Sequence, residues 1–411
     1  MPTTTTYKVY AYRWVILAVF MLANLIIQIL WICYAPITGP AASFYGVSEF
    51  QIGLIAMIFM IVYIPLSLPV SWVIDTLGYR KGVSIGVLLV GIFGLTRGIG
   101  AASYTWVIIS TLGLAIGQPF LMNSITTVAA KWFPIQERAT ASGLVLVASF
   151  IGIGIGQVLS PILVISYGIR TTMLIYGIVA LISALFFLAF TREAPPTPPC
   201  PPGQESRALM LDGLKSMLKM RDIWVLLGLF LVGMGVFNGV STWIEGIVSP
   251  KGFSITQAGD MGGFLLIGGI LGAAFIPALS DKFRKRKIFL LVGLLLVVPC
   301  LIGVTYATSY WFLAVAMFAL GFCLMSLAPI GYQYAAEITF PAPEGTSNGL
   351  MNLAGQISVV FVYAMEALKS PDGSFTVSLI FLAILTIASG LSVAFIKESN
   401  FEAHLASNVE N

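Results

Sequence analysis

Residues 50–101 read FQIGLIAMIFMIVYIPLSLPVSWVIDTLGYRKGVSIGVLLVGIFGLTRGIGA. Two apolar runs, 50–76 and 81–101, are parted by one charged stretch, Asp75-Thr-Leu-Gly78-Tyr-Arg80-Lys81. Each run has about 20 residues or more, the length at which a helix crosses roughly 30 Å of hydrocarbon. Neither shows the ten-residue alternation of a membrane barrel strand. In lipid only helices and closed barrels satisfy every backbone polar group. The stretch therefore reads as two membrane-crossing helices joined by a charged turn.

The same pattern extends along the chain. Hydrophobic residues make up 58% of its 411 positions and charged residues only 9%, against roughly 25% in ordinary soluble domains. Apolar runs between breakers predict spans at 13–40, 50–76, 81–101, 104–130, 139–166 and 169–191. A second set follows at 222–249, 256–280, 286–307, 310–337, 346–367 and 374–397. The fold class is an all-α membrane protein of twelve transmembrane helices in two pseudo-symmetric six-helix bundles. The first bundle covers 1–191. A Pro-rich linker, 192–221, holds six prolines between Pro195 and Pro202, which favour an extended conformation. Within it Ala208 to Met220 patterns as an amphipathic helix, suited to a membrane surface or to a plain connection. The second bundle covers 222–398 and a tail 399–411.

Charge orients the spans. With an even count, all but four of the 21 Lys and Arg fall on the side of the termini, the exceptions being Arg97, Arg170, Lys251 and Lys369. Positive residues concentrate on the cytoplasmic side of membrane proteins, so both termini are expected in the cytoplasm. The first apolar run outlasts a signal peptide and reads as a retained helix. Short loops without Asn-x-Ser/Thr sequons fit a prokaryotic inner membrane. The four cysteines, Cys33, Cys200, Cys300 and Cys323, show no metal or disulfide spacing, and the single histidine, His404, lies in the tail. No metal, cofactor or nucleic-acid partner is expected. Neither is an enzyme: there is no P-loop, no His-Glu-x-x-His and no nucleophile with a nearby base. The expected partners are a small solute and the bilayer, with the chain as a monomer.

The two halves echo each other. Span two ends in Asp75, Gly78, Arg80 and Lys81, and span eight in Asp281, Arg284, Lys285, Arg286 and Lys287. Span four exits through Trp132-Phe133-Pro134 and Glu137-Arg138, span ten through Phe340-Pro341 and Glu344-Gly345-Thr346. Such matching implies parallel repeats about an axis along the membrane normal. Here the chain resembles the major facilitator superfamily along its whole length. The Asp-x-x-Gly-x-Arg-Lys stretch is similar to that superfamily's signature, with Ser71 where glycine is usual. The resemblance implies a cytoplasmic latch of Asp75, Gly78, Arg80 and Lys81, echoed by Asp281 and Arg284. An Asp at a helix end can pair with Arg80 and face a neighbouring helix N-terminus. A purely topogenic role for these charges is the alternative.

A narrower resemblance rests on Trp31-Ile-Cys-Tyr34-Ala-Pro36, Phe44-Tyr-Gly-Val47, Gly117-Gln118-Pro119, Lys131-Trp-Phe133, Val240-Ser-Thr242 and Glu344 to Asn352 followed by Gln356. These are similar to the feline leukaemia virus subgroup C receptor family, facilitators associated with choline and ethanolamine uptake and with haem export. The resemblance implies that Trp31, Gln118 and Gln356 contact a cationic headgroup. Asn238, where that family has an aromatic residue, and Glu245, in place of an amide, depart from the pattern.

Depth agrees with a central site. At 1.5 Å per residue Gln118 lies about 20 Å, Gln356 about 15 Å and Trp31 about 27 Å along its span. Intramembrane amides face a cavity or bond a neighbouring helix. Trp31 suits a site or an interface anchor. No Lys or Arg lies deep in a span, with Arg97 near an outer end, which disfavours an anionic solute. Aromatics with neutral amides suit a neutral polar solute or a quaternary ammonium resting on a ring face. Tyr34, Tyr63, Phe237 and Tyr332 are further cage candidates, each also explicable as packing. Glu245, about 33 Å along span seven, either attracts a cation, couples transport to a proton, or contacts water beside Lys251. The Gly152-x-Gly154-x-Gly156 run fits close helix packing.

The expected function is alternating-access transport of a small amine or quaternary ammonium, choline-like, by facilitated diffusion. The alternatives are a proton-coupled exporter of lipophilic compounds, a haem transporter without histidine ligation, and a non-transporting receptor or sensor.

Overall fold

The computed structural model describes residues 8–199, 217–339 and 344–398, and among these every regular element is a helix. Cys200, most of the expected surface helix, the Phe340-Pro341 signal and the tail with His404 fall outside them.

The helices in chain order are α1 (Arg13–Ile32), α2 (Thr38–Tyr45), α3 (Glu49–Leu77), α4 (Tyr79–Ile99), α5 (Tyr104–Met122), α6 (Ile125–Trp132) and α7 (Ile135–Phe190). There follow α8 (Arg221–Thr242), α9 (Ile244–Val248), α10 (Ile255–Phe283), α11 (Lys287–Tyr306), α12 (Tyr310–Thr339), α13 (Glu344–Ile357), α14 (Val359–Ala367) and α15 (Thr376–Val393). Among the described residues eleven segments are long and apolar enough to cross a membrane. One of them makes two crossings. Helix α7 has 56 residues, about 84 Å at 1.5 Å each, and Gly168 breaks it with φ 77° and ψ 166°. Twelve spans result, divided where the sequence divides 139–166 from 169–191. Tyr12 and Ile396 thereby share one face of the bundle, the termini face, and the loops after Tyr45, Ile99 and Val248 lie at the far face.

Spans one, four, seven and eleven are not single rods. The first bends at Cys33 and Tyr34 into a 3₁₀ turn holding Pro36. The fourth breaks at Asn123–Ser124, the seventh at Trp243 and the eleventh at Ser358. Span twelve ends at Val393, short of the expected 397.

Repeat symmetry is visible in the caps. Ser48 with Gln51 forms a capping box on α3, and Ser254 with Gln257 forms the same box on α10. Each hydroxyl and each amide there satisfies a backbone N–H that a helix start leaves orphaned. Ser103 caps α5 and Ser309 caps α12 at the same offset along the chain. Packing follows suit: span two lies on four and three on six, as eight lies on ten and nine on twelve. Span five packs against span eight through Gly259 and Gly262, which meet Gln157.

Spans one, four, seven and ten are the most buried, at 72%, 61%, 61% and 61% of their apolar windows, against 33–50% elsewhere. The centre of the molecule is therefore lined by the first helix of each triplet. Exposed aromatics mark both membrane interfaces. Trp72, Trp224, Phe283 and Phe395 ring the termini face, and Trp106, Tyr167, Tyr306 and Trp311 the far face, as amphipathic rings do at headgroup depth.

Candidate functional site

Four of the expected site residues sit one on each central span. Trp31 lies on α1, Gln118 on α5, Asn238 on α8 and Tyr332 on α12. Gln118 is 4% exposed, and its Oε1 is buried without a hydrogen-bond partner. Pro119 follows it inside the helix; lacking an N–H, it leaves the carbonyl one turn back unpaired. An orphaned amide oxygen at this depth is costly unless something polar visits it.

Trp31 is 6% exposed and donates its indole N–H to the Ala56 carbonyl of α3 at 3.1 Å. It is a buried ring tied to the neighbouring helix, which removes the interface-anchor alternative. Asn238 donates to Ser358 Oγ at 3.0 Å, fastening α8 to the break between α13 and α14, two residues beyond Gln356. Gln356 is half-buried. Tyr332 donates to Asn352 Oδ1 at 2.5 Å and leans on Phe230 at 4.9 Å. Tyr63 donates to Asn123 Oδ1 at 2.6 Å, and Asn123 in turn bonds Ser67 and Ser71. Phe237 is buried in the core.

Tyr34 has a different neighbour from the one expected. Although Arg97 stands two residues from the end of α4, its side chain turns inward and is 1% exposed. The guanidinium donates to the Leu30 carbonyl at 3.0 Å and to Cys33 Sγ at 3.4 Å, and lies 5.7 Å from the Tyr34 ring centroid. The Tyr34 hydroxyl pairs with that of Tyr45 at 3.0 Å. A resident cation thus already rests on Tyr34. Arg97 does stand near the outer end of its span, as expected, yet its side chain is buried because a long stem carries the charge inward.

Glu245 is 6% exposed and accepts from the Gly39 backbone N–H at 3.1 Å. It does not pair with Lys251. That ammonium donates instead to the Thr305 and Ala307 carbonyls at 2.6 and 3.1 Å, and burial lowers its pKa. Glu245 is accordingly a fastening between span seven and the bent end of span one. Two further bonds join the same halves of the chain near the far face. Lys369 meets Glu49 at 2.5 Å, and Gln157 donates to the Ser241 carbonyl at 2.9 Å. Trp243, 1% exposed, fits where Gly53 has no side chain; a Cβ there would lie 2.2 Å from the indole.

At the termini face the expected Asp75–Arg80 pair is not formed. Asp75 is exposed and makes no hydrogen bond or ion pair among the described residues. The anion at this turn is Glu193, just past span six, which accepts from the backbone N–H groups of Tyr79 at 3.0 Å and Arg80 at 2.6 Å and pairs with Lys131. Gly78, with φ 88°, admits it: a Cβ would stand 2.8 Å from the carboxylate. In the second repeat Glu398, just past span twelve, accepts from Arg286 and Lys287 at 2.6 and 3.0 Å. Asp281 pairs with Arg286 rather than Arg284, and Arg286, itself buried, also binds Glu337 at 3.0 Å. The physical reason is shared. The start of a helix offers free N–H groups and a positive dipole end, and a carboxylate arriving from a distant segment reaches them better than one ending the previous helix. Glu193 and Gln157 are the residues that sequence reasoning passed over. Glu193 stands beside the Pro-rich linker, where only its repeat partner Glu398 signals a role. Gln157 was visible only as part of the glycine-rich run.

Known proteins share this architecture. The family model of the Major Facilitator Superfamily matches residues 20–362 and, in a second match, 247–410. Solute carrier family 49 member A3 of Danio rerio is 31% identical over 386 residues, 90% of this chain and 81% of that protein. Choline/ethanolamine transporter FLVCR2 of Homo sapiens is 26% identical over 412 residues, 95% of this chain and 78% of the relative. A crystal structure of a bacterial homolog of the human lysosomal transporter Spinster, inward-facing and unoccupied, superposes with a TM-score of 0.75 at 18% identity, over 94% of this chain and 98% of that one. Its likeness concerns the fold. The chain belongs to the Major Facilitator Superfamily, and the zebrafish relative places it with solute carrier family 49.

Proposed function

We propose that this transporter carries a small amine or quaternary ammonium solute, choline-like, by alternating access, with both termini in the cytoplasm. The observation that carries the reading is the orphaned Gln118 oxygen on a central span. A neutral acceptor with no protein partner suits the hydroxyl of an amino alcohol or the polarised methyl groups of an ammonium. Trp31 and Gln356 supply the ring face and the second amide. Relatives named choline/ethanolamine transporters support the same class. Tyr34 leaves the cage, since Arg97 holds its ring and would repel a second cation. Glu245 and Lys369 become parts of the far-face gate, closed in this structure.

Uptake of labelled choline into proteoliposomes tests the proposal. Gln118→Leu removes an acceptor that no described residue uses. Expression and thermal stability should hold, while KM rises roughly 10- to 100-fold, the range of a hydrogen bond to a charged group. Trp31→Ala should abolish saturable uptake. Choline uptake absent from the parent under every gradient would sink the solute assignment.

A further inference from the structure

Helix α1 has a different neighbour on each side. Leu25, Ile29 and Ile32 meet Gly152 and Gly156 of span five. Leu30 and Cys33 take the Arg97 guanidinium of span three. Trp31 reaches Ala56 of span two. At about 100° per residue, Asn24 and Gln28 fall in the sector between the Trp31 side and the Leu25 side. Spans two and five both pack against the second half, on spans eleven and eight. The sector between them, and with it Asn24 and Gln28, therefore looks across the centre of the molecule.

Both amides are buried there with polar atoms to spare. Gln28 is 5% exposed and forms no hydrogen bond with any described residue. Asn24, wholly buried, donates to the Phe20 carbonyl of its own helix at 3.0 Å and leaves Oδ1 unpartnered. An amide in this position normally fastens two helices; Gln28 fastens none among the described residues. Left unpaired in hydrocarbon, it costs free energy that a polar visitor recovers.

The spacing indicates the visitor. Gln28 lies three residues from Trp31, a rise of about 4.5 Å. A two-carbon amino alcohol with its ammonium on the indole face brings its hydroxyl within hydrogen-bond reach at that step. A hydroxyl both donates and accepts, and a carboxamide answers with its oxygen and its N–H. We propose that Gln28 binds the hydroxyl of the solute while Trp31 holds the ammonium, so that Gln28 selects hydroxylated over plain ammonium solutes. The assignment rests on the ammonium reading above and adds a contact to it, leaving Gln118 for the polarised methyl groups.

The probes are choline and propyltrimethylammonium, which carries a methyl group in place of the hydroxyl. Each is labelled and offered to proteoliposomes holding the full chain. The parent should favour choline by about five- to tenfold in KM, the worth of one neutral hydrogen bond. Gln28→Leu and Gln28→Met should raise the KM of choline by that factor and erase the preference. Propyltrimethylammonium has no hydroxyl to lose and should keep its KM in both. Thermal midpoints should hold, since no described residue bonds the amide. A parent that carries both solutes without preference would overturn the hydroxyl contact and leave the ammonium reading standing. Variants that keep the preference, or that weaken both solutes equally as a structural role would, overturn it as well. Uptake of neither solute by the parent would sink the ammonium reading and this assignment together.

Discussion

At the residue scale, the molecule places its charges where backbone groups are unsatisfied. Glu193 and Glu398 each close a helix start with two N–H bonds, while Asp75 ends its helix in solvent. A carboxylate at a helix N-terminus stabilises by typically 0.3–1 kcal/mol, and Lys131 adds an exposed pair of similar small worth. Glu193→Gln should therefore lower the thermal midpoint of the detergent-solubilised protein measurably, and Asp75→Asn should leave it unchanged. The reverse order would restore Asp75 as the structural anion of this turn. Arg97 makes the complementary point. Among the described residues its guanidinium meets a carbonyl, a thiol and a ring, and it fixes a positive charge inside the first bundle that no count of span positions foretells.

At the element scale, the bends carry the mechanism's geometry. Spans one, four, seven and eleven each break within the membrane, and the expected site residues stand close to those breaks. Trp31 precedes the first, Gln118 the second, Asn238 the third, and Asn238 bonds Ser358 at the fourth, two residues beyond Gln356. Straight α7 would be impossible across one bilayer, and Gly168 turns it back with a φ of 77°. With ψ at 166° this conformation is essentially glycine's alone, and it costs a residue with a β-carbon on the order of 1–3 kcal/mol. No neighbouring atom lies near a Cβ built there, so Gly168→Ala should destabilise by that backbone cost alone, with choline uptake per folded molecule preserved. A far larger loss of folded protein would mean that the hinge also needs space.

At the scale of the whole molecule, the two halves meet through a small set of far-face fastenings. Glu245 to Gly39 ties the bent ends of spans seven and one, Lys369 to Glu49 ties the loop after span eleven to the start of span two, and Gln157 to Ser241 ties span five to span seven. Trp243 fills the notch at Gly53. Opening the far face has to break these bonds, and a population shift equals the difference in their free energy between states. Lys369→Met, which removes the ion pairs to Glu49 and Glu366 and leaves those two carboxylates to repel each other, should favour the open far face. Spin-label distances between positions 45 and 370 would lengthen relative to the parent. An unchanged distance distribution would show that the pair does not contribute to closure.

Twelve crossings and the repeat were legible in the sequence because lipid imposes a length and an apolar content on every span. The depth of Trp31, Gln118 and Gln356 followed from counting along a helix of fixed rise. What counting along helices does not supply is which way a side chain turns and which distant segment it meets. Glu193 reaches Tyr79, Glu245 reaches Gly39 and Arg97 folds under Tyr34 only because the packed helices leave those partners unsatisfied and within reach. Local periodicity determined the architecture, and tertiary packing alone decided the partners of its buried polar groups.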